Sequence, residues 1–133
     1  MLGSLELQLV HEFPFLFRDY KGDVRTTCMC WGCGCDDGWY DLLHETCVEL
    51  QKESKAENLD LYFTQIKEKF GGLRLYVYGG NENVYKIVDA AEKKSFTICE
   101  ICGKSGELCS TVNWLKTMCN NCRKDTNYTP LKE

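Results

Sequence analysis

The densest chemistry in the sequence sits in its last third, where Cys99-Glu-Ile-Cys102-Gly103 is followed by Cys119-Asn-Asn-Cys122, a C-x2-C-x16-C-x2-C pattern. Each C-x2-C turn aims two sulfurs at one ion about 2.3 Å away, and two such turns complete a tetrahedron. Gly103 follows the first pair and supplies the positive φ that closes such a turn. Four thiolates occupy every position around a tetrahedral Zn2+, which leaves no place for water or substrate. The expected ion is therefore structural, held by Cys99, Cys102, Cys119 and Cys122, and contributes folding energy. Between the pairs, Gly106 signals a turn, and Thr111, Val112 and Trp114 supply a β-branched and aromatic mix. A ribbon-like hairpin is expected there, with Cys109 packed outside the tetrad.

A second cysteine cluster, Cys28-Met-Cys-Trp-Gly-Cys-Gly-Cys35, contains one C-x2-C pair, Cys30 and Cys33, and needs two more ligands to hold a metal. Downstream, Trp39, Leu42, Leu43, Cys47 and Leu50 recur at the i, i+3, i+4 spacing of an amphipathic helix, with Asp36 or Asp37 as its cap. His44 and Cys47 are three apart on that helix and share a face. Cys30, Cys33, His44 and Cys47 are thus the candidates for a second zinc. The competing reading places Cys47 in the buried stripe with Trp39 and Leu43, and makes the cluster a tight glycine–cysteine turn feeding the helix. That turn is the preferred expectation, with the second metal left open.

These groups need elements to position them. Leu59-Asp-Leu61-Tyr-Phe63 and Leu73-Arg-Leu75-Tyr-Val77 alternate at period two around Gly71-Gly72. This predicts a hairpin with Leu73, Leu75 and Val77 inward and Arg74, Tyr76 and Tyr78 outward. Gly79-Gly80 ends the second strand, and Asn81 or Asn83 caps a helix that buries Val84, Ile87, Val88 and Ala91. The expected fold is α+β, in the order helix, hairpin, helix and four-cysteine zinc ribbon packed on the same domain. Residues 1–97 form the α+β domain, 98–126 the ribbon, and 127–133 a disordered tail.

The chain of 133 residues suits one domain with an appended module. Its first residues carry Glu6, His11 and Glu12 and lack a basic start and a small-residue cleavage site, so no secretory signal is expected. No run of 18 apolar residues is present to span a membrane. Ten cysteines without export imply a reducing cytoplasm, where thiols bind metal or pack. The formal charge of −4 is uneven: residues 1–60 hold twelve acids against five bases, and residues 61–133 hold eight acids against eleven bases. An acidic front and a mildly basic back point to a protein partner as readily as to nucleic acid, and metal-bound thiolates disfavour tight binding to bulk DNA. Two histidines, His11 and His44, leave few partners for a nucleophile, metal binding removes the cysteines from that role, and no open zinc triad or phosphate-loop motif is present, so no enzyme is expected.

Residues 65–74 interleave Lys67, Lys69 and Arg74 with Phe70, and Tyr76 and Tyr78 extend the same face. This pattern can track a nucleic-acid backbone with stacked bases. A solvated sheet face with ordinary tyrosines is the simpler alternative.

Taken together, Phe13-Pro14, Cys28-Met-Cys-Trp-Gly32, Asp37-Gly-Trp-Tyr-Asp-Leu42, Ile66-Lys-Glu-Lys-Phe-Gly-Gly-Leu-Arg74, Cys99-Glu-Ile-Cys-Gly103, Trp114 and Cys119 resemble a family of small proteins encoded by phages and prophages. The resemblance covers most of the chain, and KEKFGGLR and the C-terminal C-x2-C-G are its most distinctive pieces. It implies a turn before a helical DGWYDLL stretch, without a full ligand set in the first cysteine cluster. The chain is also similar to zinc-containing anti-CRISPR inhibitors of type II CRISPR effector nucleases. That likeness implies a phage-encoded inhibitor, acting in the cytoplasm of a bacterial host cell, that binds such an effector nuclease and blocks loading of target DNA.

For that reading the acidic helix is the interface candidate, through Asp37, Asp41, Glu45 and Glu49. The first three are four apart in turn on one helical face. The alternative is a zinc-ribbon nucleic-acid-binding accessory protein of phage, using Lys104, Lys116, Arg123 and Lys124 on the ribbon and Lys67, Lys69 and Arg74 on the hairpin.

Overall fold

Leu9, Phe13, Leu16 and Phe17 are buried in one core, and the first of them lies on a helix absent from the expected order. In the computed structural model, which describes residues 1–131, α1 spans Gly3–Glu12 and precedes everything the sequence pattern announces. The fold is α+β, as expected.

The cysteine cluster becomes a connection. Residues Cys28–Trp31 wind one 3-10 turn, entered through Thr27, whose hydroxyl accepts the Met29 N–H at 3.1 Å. The turn leaves through Gly32 at φ 72, where a Cβ would sit 2.6 Å from the Glu6 carboxylate. Cys33–Gly34 then form β1, paired parallel to the next strand.

A 3-10 turn over Asp37–Trp39 leads into α2, Tyr40–Ala56, whose buried stripe is Leu42, Leu43, Thr46, Cys47 and Leu50. Neither aspartate caps this helix through its side chain, contrary to expectation. Asp37 Oδ1 accepts the Leu2 N–H at 2.8 Å, and Asp36 Oδ2 accepts from Lys116 Nζ at 2.9 Å. Both carboxylates are held by distant parts of the chain rather than by the local helix end.

The hairpin consists of β2, Tyr62–Lys69, and β3, Gly72–Tyr78, with β1 on the other side of β2. The first strand starts at Tyr62 rather than Leu59, because the Leu59 N–H closes the end of α2 on the Ser54 carbonyl. A bulge between Phe63 and Gln65 lets Phe63 and Ile66, three apart, both face the core. Leu73 and Leu75 are buried, Val77 is half-buried, and Tyr76 and Tyr78 are exposed on the outer face. At the turn, Phe70 at φ 53 and Gly71 at φ 86 adopt the two positive angles that match the twist of paired strands.

Helix α3, Glu82–Ser95, is capped by Asn81, whose Oδ1 accepts the Val84 N–H at 2.9 Å. It covers the edge of β3, where Ser95 Oγ accepts the Leu73 N–H.

The ribbon contains β4, Glu107–Ser110, β5, Leu115–Met118, and a single helical turn, α4, over Asn120–Arg123. The expected disordered tail, 127–133, is corrected for its first part. Thr129–Pro130 form β6 on the free side of β4, and the Leu131 N–H donates to the Leu108 carbonyl at 3.1 Å. Pairing satisfies β4's second edge. Residues 132–133 lie outside the described residues.

The ribbon docks on the domain through backbone contacts. The Gly38 N–H donates to the Glu100 carbonyl at 2.7 Å, and the fully buried Trp39 donates its indole N–H to the Ile98 carbonyl at 2.9 Å. From the hairpin side, the Thr117 hydroxyl donates to the Gly71 carbonyl at 2.8 Å.

A Cβ on Gly38 would run into the Cys99 and Glu100 carbonyls, and backbone cannot yield as a side-chain end would. Gly38→Ala is expected to cost about 1–3 kcal/mol and lower Tm by roughly 5–10 °C. Gly3→Ala, where nothing lies within 4 Å, is expected to leave Tm in place. Thermal unfolding followed by circular dichroism measures both.

Candidate metal centre

Two knuckles build the site. In the first, the Cys99 N–H donates to the Lys104 carbonyl at 2.7 Å and the Gly103 N–H to the Cys99 carbonyl at 2.9 Å, with Gly103 at φ 84. In the second, Cys119 stands at the N-cap of α4, and its sulfur accepts the Cys122 N–H at 3.3 Å.

The ligand atoms of Cys99, Cys102, Cys119 and Cys122 all lie within 4.8 Å of one another. A tetrahedron with metal–sulfur bonds of about 2.3 Å has edges of about 3.8 Å. The Cys102 and Cys119 sulfurs are 3.7 Å apart. These four cysteines can hold one metal ion, and the all-sulfur donor set is consistent with Zn2+.

Packing shows what a bound metal would supply. The ribbon's own core holds Cys99, Cys109 and Met118, with Cys119, Cys122 and Tyr128 packed around them. A cluster this small buries too little apolar surface to order the segment unaided. Cys109 fills part of it, fully buried, and its thiol donates to the Glu107 carbonyl at 3.4 Å.

The thiols of the tetrad are not equivalent. The Cys122 N–H draws Cys119 down to about 7, whereas the proton shared with Cys119 holds Cys122 up at about 12. Without metal, one thiolate forms near neutrality while the Cys122 proton stays in place. A bound cation must expel that proton, so metal affinity falls as pH falls.

Beside the tetrad lies an ion pair on a buried acid that sequence reasoning missed. Glu100 is 2% exposed, and its carboxylate accepts the Asp36 N–H at 3.0 Å and lies 3.4 Å from Lys116 Nζ. Burial pushes the Glu100 carboxyl up, against the pull of Lys116. Burial drags Lys116 the other way, but the Asp36 hydrogen bond and the Glu100 charge outweigh it and leave its pKa raised. No local signal marks Glu100, since neither partner lies within one turn of it and Asp36 is 64 residues away.

The second metal set is not brought together. Among the described residues, the tetrad is the one group of three or more His, Cys, Asp or Glu side chains whose ligand atoms converge. Cys47 and Cys33 belong to the main core, where burial raises the Cys33 thiol to about 12 and the Cys47 thiol well above its ordinary value. Cys30 is half-buried in its 3-10 turn. His44 Nε2 pairs with Glu12 at 2.8 Å, and its ring packs edge-on against Phe13. Neutral thiols packed in an apolar core are poor ligands.

The acidic stripe is divided as well. Asp37 is tied to the Leu2 N–H, and Glu45 pairs with Lys94 of α3 at 3.2 Å. Asp41 and Glu49 remain exposed, and among the described residues no basic side chain pairs with them.

Elemental analysis of the purified protein should find one metal ion per chain. Serine at Cys99, Cys102, Cys119 or Cys122 is expected to abolish it, while Cys30→Ser, Cys33→Ser and His44→Ala retain it. Loss of a second equivalent on changing Cys30 would refute this assignment. Apparent affinity should weaken from pH 8 to pH 6, as a chelator competition reads.

No protein-family model, curated protein or solved structure matches this chain, so its activity is read from its own chemistry.

Proposed function

We propose that the protein is a phage-encoded, zinc-containing anti-CRISPR inhibitor that binds a type II CRISPR effector nuclease in the bacterial cytoplasm and blocks loading of target DNA. Zinc is the ion in this reading. Four soft thiolates at tetrahedral spacing suit it, and a closed donor set leaves it no catalytic position. Its role is to fix the ribbon on the α+β domain. The reading gives the chain no catalytic residue.

The observation that carries the proposal is the exposed acidic surface of α2, where Asp41 and Glu49 project with no basic partner among the described residues. A channel built to hold nucleic acid is lined with bases, and an acidic helix on a rigid backing competes for that lining while speeding encounter electrostatically. The resemblance of DGWYDLL and KEKFGGLR to phage-encoded sequences supports the same reading. In this fold both motifs supply docking glycines, Gly38 and Gly71, that seat the ribbon.

The test is DNA cleavage by a guide-loaded type II effector, with the protein added before or after target. Early addition should inhibit at stoichiometric amounts, and late addition should not. Asp41→Lys with Glu49→Lys should weaken capture of the effector at least tenfold, corresponding to about 1.4 kcal/mol. Glu45→Lys is expected to act through loss of its Lys94 pair and to change capture less. Absence of capture, or capture indifferent to both reversals, would show the proposal to be wrong.

A further inference from the structure

On the far side of the core from α2, the outer face of the hairpin carries a second surface of different chemistry. Register places its cross-strand pairs in a row: Tyr62 opposite Tyr78, Gln65 opposite Tyr76, and Lys67 opposite Arg74. Tyr62 and Tyr78 stack with ring centroids 5.1 Å apart, and the Arg18 guanidinium covers Tyr62 at 4.4 Å. Arg18 and Arg74 have carboxylate partners in Asp60 and Glu92, but among the described residues no acid pairs with Lys67 or Lys69. On β1, Gly34 is the neighbour of Lys67 and adds no side chain over it. The row ends where exposed Phe70 and Trp114 flank a cleft of about 610 Å3 between hairpin and ribbon.

We infer that this face binds single-stranded RNA, with two or three unstacked bases lying on Tyr76, Tyr78 and the Phe70–Trp114 cleft and with Lys67 and Lys69 on the phosphates. Outward tyrosines on an antiparallel sheet offer flat platforms to any base, and unpaired lysines between them provide the charge complementarity that a strand requires. RNA is favoured over DNA because Gln65 and three tyrosine hydroxyls lie among the rings, offering donors and acceptors to 2′-hydroxyls. A duplex is disfavoured, since its bases are already stacked and the chain as a whole is acidic. This surface is separate from Asp41 and Glu49 and does not depend on the inhibitor reading.

Fluorescence anisotropy with the full metal-loaded chain and a labelled, mixed-sequence RNA oligomer tests the inference, with the DNA of the same sequence and the RNA duplex as further arms. Tyr76→Ala is expected to weaken RNA binding about tenfold. Lys67→Ala with Lys69→Ala should weaken it similarly at low salt and flatten the salt dependence. Two phosphate contacts predict about sevenfold weakening between roughly 50 and 200 mM salt.

Each variant is compared at unchanged Tm and metal content, and because these side chains point outward, both are expected to hold. If a variant fails that comparison, Tyr78→Leu and Lys67→Gln provide milder replacements. Binding that is undetectable at about 0.1 mM protein, or indifferent to all four changes, would overturn the inference. So would equal or tighter binding of DNA or duplex. If the same changes abolished capture of the effector nuclease while RNA failed to bind, the face would belong to a protein contact instead.

Discussion

The contact on which the rest of the structure depends is the seating of the Cys99–Glu100 backbone against Gly38. At that point the chain must serve a metal knuckle, a buried carboxylate and an interdomain hydrogen bond within two residues. The Gly38 N–H reaches the Glu100 carbonyl only because no side chain intervenes. The carboxylate of Glu100 tolerates its burial because Asp36 and Lys116 meet it there. Breaking one side of such an arrangement leaves a buried charge uncompensated, which costs several kcal/mol where water is excluded. Lys116 remains 22% exposed at its side chain, so water softens that cost here.

The cysteines of the main core and those of the tetrad sit in different environments and have different chemistries. In the main core, Cys33, Cys35 and Cys47 are surrounded by apolar side chains, and desolvation raises their thiol pKa values. Protonated, they behave as small hydrophobes. In the ribbon, a backbone N–H aimed at Cys119 stabilises negative charge on sulfur before any cation arrives. Folding thus selects which thiols can meet a metal, and the ribbon's small core shows what a bound ion would add.

What could be read from sequence follows the range of the interactions involved. The tetrad was legible because each C-x2-C turn is local and its spacing reports its geometry. Asn81 was legible as a cap for the same reason, one of two candidates that differ by two positions. The inward pair Leu73 and Leu75 followed from alternation, whereas β2 starts later because Leu59 closes α2, and its bulge then breaks the period between Phe63 and Ile66. Helix α1 was missed because Leu2, Leu5, Leu7, Leu9 and Val10 mix helical and alternating spacings, and tertiary contacts, with Leu9 and Val10 on the core and Glu6 on the Cys33 N–H, favour the helix. Asp36 looked like a cap, but Lys116, 80 residues away, takes its carboxylate. Pairings of that range leave no periodic trace. Helix spacing placed Asp37, Asp41 and Glu45 together, but it could not foresee that Leu2 and Lys94 would claim the outer two.

Formal charge conceals how the surface is organised. Arg18, Arg25, Arg74, Lys94 and Lys116 each meet a carboxylate, so much of the ionic content is consumed internally. Asp41 and Glu49 remain on the helix layer, and Lys67 and Lys69 on the sheet face. These two layers bury their apolar sides in the same core, through Leu42, Leu43 and Leu50 from α2 and Phe63, Ile66, Leu73 and Leu75 from the hairpin. Their outer sides must then point apart, so Asp41 and Glu49 lie on a different face from Lys67 and Lys69. The ribbon reaches one of these faces directly. Thr117, the residue before the Met118-Cys119 step into the second knuckle, hydrogen-bonds the Gly71 carbonyl at the hairpin turn. Leu108 and the Lys116 backbone close around Gly71 on the same side. Closing the metal site therefore orders the end of the hairpin that carries Lys69 and Phe70, although neither residue approaches a sulfur ligand in sequence. Opening it would loosen both of the ribbon's docking contacts, at the Gly71 turn and at the Gly38–Trp39 seat before α2.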